Sequence, residues 1–359
     1  MPSKTRLLGI LAVAAAIVAG CSSSPSQPAS SGSGQAGKKY SVVLSNNYMG
    51  NEWRPQMENA AKAVAESPEY SGVVDLQIRN VDIQPSLQIA SLQAIIRQKP
   101  DAILVDAASP TALNPTLEQA CAAGIKVIAF DQVADTPCAY KLPQDYAAEA
   151  ADMVNWLGTV LHGKGNILMD TGLPGIPIST TFVDVWKKTL AEKYPDIKVV
   201  GTYSSQYAPG PELQGVSQQL AANTRIDGIL SGGYISSQIA AFQKAGRTPV
   251  PATGLDVNGN MQECERLQLP CFYIGAPSFV GGMAVEHAVK VLTGQDVPKS
   301  QVYWSTNYVS TAGNVEFAHQ QQVEVIKEGT SYFANGDASL VTPLTYGPAA
   351  LTAAAVLGR

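Results

Sequence analysis

The sequence predicts an α/β chain of two doubly wound parallel-sheet domains in tandem. Three observations carry this. Short apolar runs of strand length alternate with stretches whose apolar residues recur at helical spacing. The alternation restarts after Gln144. The part of the chain from Tyr40 onward, roughly 320 residues, exceeds what one core usually holds.

Residues 40–44 read as a buried strand. A helix follows over 55–66, with Met57, Ala60, Ala61 and Val64 on one face. A strand over 73–78 precedes a helix over 86–98 striped by Ile89, Leu92 and Ile96. Residues 102–105 form the third strand, and a helix over 115–123 stops at Gly124. Residues 126–130 are the fourth strand. In the second series Met153, Leu157, Val160 and Leu161 mark a helix ending near Gly163. A strand over 166–169 leads to a helix marked by Phe182, Val185, Trp186 and Leu190. Strands over 198–203, 228–230, 252–255 and 272–274 complete the series, with helical segments between them. Alternating strands and helices with short connections imply parallel sheets covered on both faces.

The N-terminus reads as a targeting segment. Lys4 and Arg6 precede an apolar run over residues 7–19, which has the length of a signal-peptide core rather than of a membrane span. Val18-Ala19-Gly20-Cys21 resembles a bacterial lipobox, which implies cleavage before Cys21 and its lipidation. Residues 22–39 are rich in Ser, Gly, Pro and Gln and are expected to form a flexible linker. The net charge of −5 speaks against a nucleic-acid partner. Four cysteines remain: Cys121, Cys138, Cys264 and Cys271. Three pairings are open in an exported chain, and proximity favours Cys121 with Cys138 and Cys264 with Cys271.

In open α/β sheets, ligands bind beyond the carboxyl ends of the strands. The residues just after the strands include Asn46, Asn47, Asp106, Asp131, Gln132, Asp170, Ser231, Tyr234 and Asp256. Neutral hydrogen-bonding groups and a few carboxylates, with almost no cations, suit a polyhydroxylated ligand. A phosphate would call for Gly-rich turns with Lys or Arg. Asp131 and Asp256 equally suit helix N-caps, and for Trp53 the alternative is core packing at a helix start.

Val127-Ile-Ala-Phe-Asp131, Pro251-Ala-Thr-Gly-Leu-Asp256, residues 101–110 and Gly172-Leu-Pro-Gly175 together resemble type I periplasmic binding proteins of the ribose- and galactose-binding family. The likeness spans residues 40 to about 314. It implies two Rossmann-like lobes joined by a three-crossover hinge, with crossings near residues 142–144, 274–276 and 306–309. The implied parts are a signal peptide over 1–20, a linker over 21–39, an N-terminal lobe over 40–143 plus 276–306, a C-terminal lobe over 144–275 plus 307–345, and a C-terminal extension over 346–359; residues 329–359 are expected to finish the second lobe. The implied ligand set is Asn46, Asn47, Trp53, Arg54, Asp131, Gln144, Asp145, Thr180, Tyr234 and Asp256. Thr180 stands near a family Arg, Tyr234 beside a family Asn, and Gly275 where the family has a Gln. These departures favour a polyol or deoxysugar over ribose or galactose.

The resemblance implies a monomeric, lipid-anchored receptor that delivers a sugar or polyol to an ABC importer permease, with no cofactor or metal. A sensory protein for a signal such as autoinducer-2 would use the same pocket. An enzyme is disfavoured because none of His162, His287 and His319 lies in a nucleophile motif. A sugar-responsive repressor is disfavoured because a signal peptide stands where its DNA-binding headpiece would be.

Overall fold

The computed structural model describes residues 39–303, 305–313, 323–342, 345–346 and 349–359. The signal segment, Cys21, residues 22–38 of the linker and His319 lie outside the described residues.

The first lobe is built on β1 (Tyr40–Asn46), α1 (Trp53–Ala65), β2 (Val74–Asn80), α2 (Pro85–Gln98), β3 (Ala102–Val105), α3 (Asn114–Ala122), β4 (Lys126–Asp131) and β5 (Tyr140–Pro143). Its sheet order is β2-β1-β3-β4-β5, parallel throughout. The second lobe is built on α4 (Tyr146–Val160), β6 (Lys164–Asp170), α5 (Pro177–Lys193), β7 (Asp196–Tyr203), α6 (Pro209–Ala222), β8 (Gly228–Leu230), α7 (Ile235–Lys244), β9 (Ala252–Leu255), α8 (Asn258–Leu267) and β10 (Cys271–Ile274). Its sheet runs β7-β6-β8-β9-β10, the same order as in the first lobe. Two edge strands extend it: β11 (Tyr308–Val309), antiparallel to β10, and β12 (Glu324–Val325).

Local sequence explains the frame. Val42, Val43 and Leu44 are all buried in β1, as are all four residues of β3, because helices cover both faces of the sheet. Helices α2, α3, α5 and α6 each begin with Pro at the first or second position. There the fixed φ favours the helix and the missing N–H costs nothing. Strand β5 escapes the sequence pattern, being four residues long and ending in Pro143.

The chain leaves the first lobe between β5 and α4. After β10 it returns to form α9 (Val280–Leu292), which packs on α1, β3 and β4, and then passes back to β11. The last helix, α10 (Ala353–Leu357), also packs on α1, where Asn59 Nδ2 donates to the Val356 carbonyl at 3.0 Å. The sequence suggests that residues 329–359 finish the second lobe; residues 338–342 do pair with residues 256–259 of that lobe, but the final helix does not. It returns to the first, making a fourth passage.

One side chain ties the three crossovers together. Gln144 Nε2 donates to the Gly275 carbonyl and to Glu149 Oε1, both at 2.6 Å, and Gln144 Oε1 accepts from the Tyr303 hydroxyl at 2.7 Å. Ser305 Oγ also donates to Glu149 Oε1, at 2.7 Å. Burial pushes the Glu149 carboxyl up to about 8, despite its hydrogen bonds from Ser305 and Gln144. The folded state thus holds a proton on Glu149 that the unfolded chain releases near the ordinary value of 4.5. Its contribution to stability is full below that value and is lost as pH rises through about 8.

Urea unfolding across this pH range is expected to show stability falling with rising pH. Glu149→Gln should remove up to about 1.4 kcal/mol per pH unit from that slope.

Cys121 is bonded to Cys138 and Cys264 to Cys271, at sequence separations of 17 and 7. A double Ser variant at Cys121 and Cys138 should lose about 3 kcal/mol in urea unfolding, since that bridge closes the longer loop.

Candidate functional site

Both sheets present the carboxyl ends of their strands to one cleft between the lobes. The space between the lobes there amounts to about 550 Å³ when the part open to solvent is counted. Tyr48, Asn51, Trp53, Arg54, Asp131 and Gln132 line it from the first lobe, together with Ile83. Tyr146, Leu173, Ile176, Ile178, Tyr207 and Leu255 line it from the second, and Ala276 from a crossover.

Arg54 is the electrostatic centre of this cleft. It lies in the first turn of α1 and is 6 % exposed. Its Nη1 is ion-paired with the Asp106 carboxylate beyond β3, and its Nη2 lies 3.8 Å from Asp131 Oδ2 at the end of β4. Asn47 Nδ2 donates to Asp106 Oδ1 at 3.0 Å. Asn46 is held by Glu58, to which its Nδ2 donates at 2.8 Å, and Asn46 Oδ1 accepts from Arg54 Nη1 at 3.4 Å. Asn46 and Asn47 thus stand behind the lining residues and orient Arg54 and Asp106. Burial lowers the Arg54 pKa, an effect opposed by the charge of Asp131. Burial raises that of Asp131, opposed first by Arg54 and then by a hydrogen bond donated by the Tyr146 hydroxyl.

Trp53 meets both of its expected descriptions. Its ring is 7 % exposed, packs in the first-lobe core and lines the cleft. Its Nε1 donates to the Ala276 carbonyl at 2.6 Å, and the Arg54 guanidinium sits 4.9 Å from the ring centre.

Backbone strain also concentrates here. Among the described residues, six non-glycine residues have positive φ. Lys99, His162 and Gln268 stand at helix C-termini, where that conformation is common. The other three, Asp131, Gln206 and Tyr207, flank the cleft. A bulky residue such as Tyr207 rarely adopts φ 50°, and such strain gathers at functional sites. Gly172 makes room for it. A Cβ there would lie 2.5 Å from Ser179 Oγ and 2.6 Å from the Tyr207 hydroxyl, and its own φ is +63°.

Beneath the second-lobe wall, Asp170 accepts from Gly172 N and Ser205 N at 2.8 Å, Ser205 Oγ at 2.6 Å and Ser231 Oγ at 3.1 Å. Ser231 Oγ also reaches Glu212 Oε1, which accepts from the Tyr203 hydroxyl at 2.6 Å. Burial and the charge of Asp170 push Glu212 up to about 8. This network fixes the loops after β6, β7 and β8.

Of the residues singled out in the sequence, the structure brings Trp53, Arg54 and Asp131 together in the cleft wall. Five others lie elsewhere. Gln144 is spent on the crossovers. Asp145 caps α4, accepting from Ala148 N at 3.1 Å. Thr180 is exposed and turns back to the Ile176 carbonyl. Asp256 is fully buried, and its Oδ2 accepts from Ala276 N at 2.9 Å, so Leu255 lines the cleft instead. Tyr234 is buried, and its pKa is raised by burial and by the Glu52 carboxylate facing it from the other lobe. The hydrogen bond from the Tyr48 hydroxyl to the Gln206 carbonyl (3.4 Å) joins the lobes across the cleft. Tyr146 and Tyr207 were not among the expected residues. Tyr146 was signalled only by its place next to Asp145.

Residues 42–296 match the family model described as the periplasmic binding protein domain. The chain belongs to the periplasmic binding protein family. A xylitol-binding protein of Mycolicibacterium smegmatis is 26 % identical over 238 residues, covering 64 % of this chain and 67 % of that protein. An ABC transporter solute binding protein from Thermobispora bispora superposes with a TM-score of 0.68 at 27 % identity, over 74 % of this chain and 84 % of its own. The binding protein of an arabinose ABC transporter from Shewanella gives 0.68 at 19 % identity, over 79 % and 96 %. For this family two lobes around one cleft are the expected form, and no helix among the described residues is long and apolar enough to cross a membrane.

Arg54→Ala leaves Asp106 buried without its ion-pair partner. It should cost about 3–5 kcal/mol in denaturant unfolding.

Proposed function

We propose that this periplasmic binding protein captures a neutral sugar or sugar alcohol between its lobes and delivers it to an ABC importer. The observation that carries this is the first-lobe face of the cleft, where Asp131, Arg54 and Gln132 converge beside the Trp53 ring. A carboxylate accepts two hydroxyl protons, a guanidinium donates to hydroxyl oxygens, and an amide does both. One cation set against two carboxylates leaves no free positive charge for a phosphate or a carboxylate ligand. The relative from Mycolicibacterium smegmatis, named for xylitol, supports a small polyhydroxylated ligand.

In this reading Trp53, Arg54, Asp131, Gln132, Tyr146 and Tyr207 hold the ligand, and Asn46 and Asn47 orient the first of these groups. Gln144 and Glu149 join the crossovers about which the lobes close. The lobes divide at residues 143–144, 275–276 and 306–307. The chain binds rather than catalyses. It works as a monomer outside the cytoplasm, tethered through a lipid on Cys21.

Thermal unfolding of the purified protein in the presence of monosaccharides and polyols tests this. A true ligand at a hundred times its Kd should stabilise the folded state by about 2.7 kcal/mol. Asp131→Asn should unfold as cooperatively as the parent protein and lose about 1.5–3 kcal/mol of binding free energy, because it removes a charge-assisted acceptor. Stabilisation by nucleosides or amino acids alone would refute the sugar reading.

A further inference from the structure

The two faces of the cleft differ in kind. On the first-lobe face, Arg54 Nε and Gln132 Oε1 are buried with no hydrogen-bond partner. The second-lobe face is formed by Leu173, Ile176, Ile178 and Leu255. The two polar side chains beside them, Tyr146 and Tyr207, each already make one hydrogen bond. The Tyr146 hydroxyl donates to Asp131, and the Tyr207 hydroxyl is hydrogen-bonded to Ser179 Oγ at 3.2 Å. A ligand hydroxyl turned to the first lobe exchanges water for a protein partner. One turned to Leu173 and Ile178 gives up water and faces side chains that carry no donor or acceptor, which is unfavourable. A methyl group in the same place gains from burial.

Building on the sugar-or-polyol reading, we propose that the preferred ligand is a deoxy sugar. Its hydroxyls face Arg54, Asp131 and Gln132, and its methyl group lies against Leu173, Ile176, Ile178 and Leu255. The second-lobe wall is then the specificity element, and Ile178, in the first turn of α5, is its most replaceable member because it is only half-buried.

Calorimetric titration of the purified chain with matched pairs tests this: 6-deoxygalactose against galactose, 6-deoxyglucose against glucose, and 6-deoxymannose against mannose, in D and L forms, with pentitols and hexitols alongside. The deoxy member of the recognised pair is expected to bind about ten- to a hundredfold more tightly. Ile178→Asn offers an amide to the extra hydroxyl and should bring the ratio towards one, with an unchanged circular dichroism spectrum. Equal or tighter binding of the fully hydroxylated member overturns the proposal, as does a ratio unmoved by Ile178→Asn. Binding of pentitols or hexitols alone also overturns it, while leaving the broader reading intact. No binding by any of these probes overturns the sugar-or-polyol reading and this proposal together.

Discussion

A guanidinium buried at the mouth of a parallel sheet has to be answered by charge, because an unpaired cation in that environment would be expelled or neutralised. Arg54 is answered from three strand ends at once: Asn46 ends β1, Asp106 follows β3 and Asp131 ends β4. These are neighbouring strands in the order β1-β3-β4, so their convergence follows directly from the doubly wound topology. The reversal of strand order beside β1 opens the crevice, and Arg54 fills its floor. Glu58 and Asn47 then hold the groups that hold Arg54. The polar character of one face of the cleft thus rests on a single ion-paired side chain.

The second lobe has the same strand order but uses its strand ends differently. Asp170, Ser205, Ser231 and Glu212 satisfy one another beneath the wall, so the surface above them is left to apolar side chains and two tyrosines. A hydrogen-bonded carboxylate network of this kind rigidifies what it supports. The crossovers are joined by a second polar cluster, in which the amide of Gln144 contacts partners up to 161 residues away in sequence. The cleft face, the support beneath its second wall and the crossovers are thus held by three separate polar groups.

Much of this architecture is legible in the sequence, because period and breaker residues report local structure directly. The parallel strands of four residues or more in the second series announce themselves through apolar runs, and helices through stripes such as Ile89, Leu92 and Ile96. The site is legible only in part. Standing after a strand says which end of the sheet a residue occupies, not where its side chain points. Asp131 and Asp256 occupy equivalent places, yet one faces the cleft and the other is turned onto the Ala276 amide. Gln144 and Asp145 sit at the expected loop but serve the crossovers and a helix cap. Tyr207 is hidden because its exposure to the cleft depends on two successive left-handed residues, which no composition or period encodes. The return of the C-terminal segment to α1 is a contact between distant parts of the chain, and nothing local to residues 353–357 announces it.

That return changes what kind of body the second lobe is. With β1 at one end of the described chain and α10 at the other, both packed in the first lobe, the second lobe is an insertion whose ends are all fastened to one base. Segment 338–342 adds to the fastening. It accepts from and donates to Gln56 of α1 and also pairs with residues 256–259. A label or surface attachment on the final helix would therefore ride with the first lobe. The motion it would sense is that of a jaw swinging on a stationary mount.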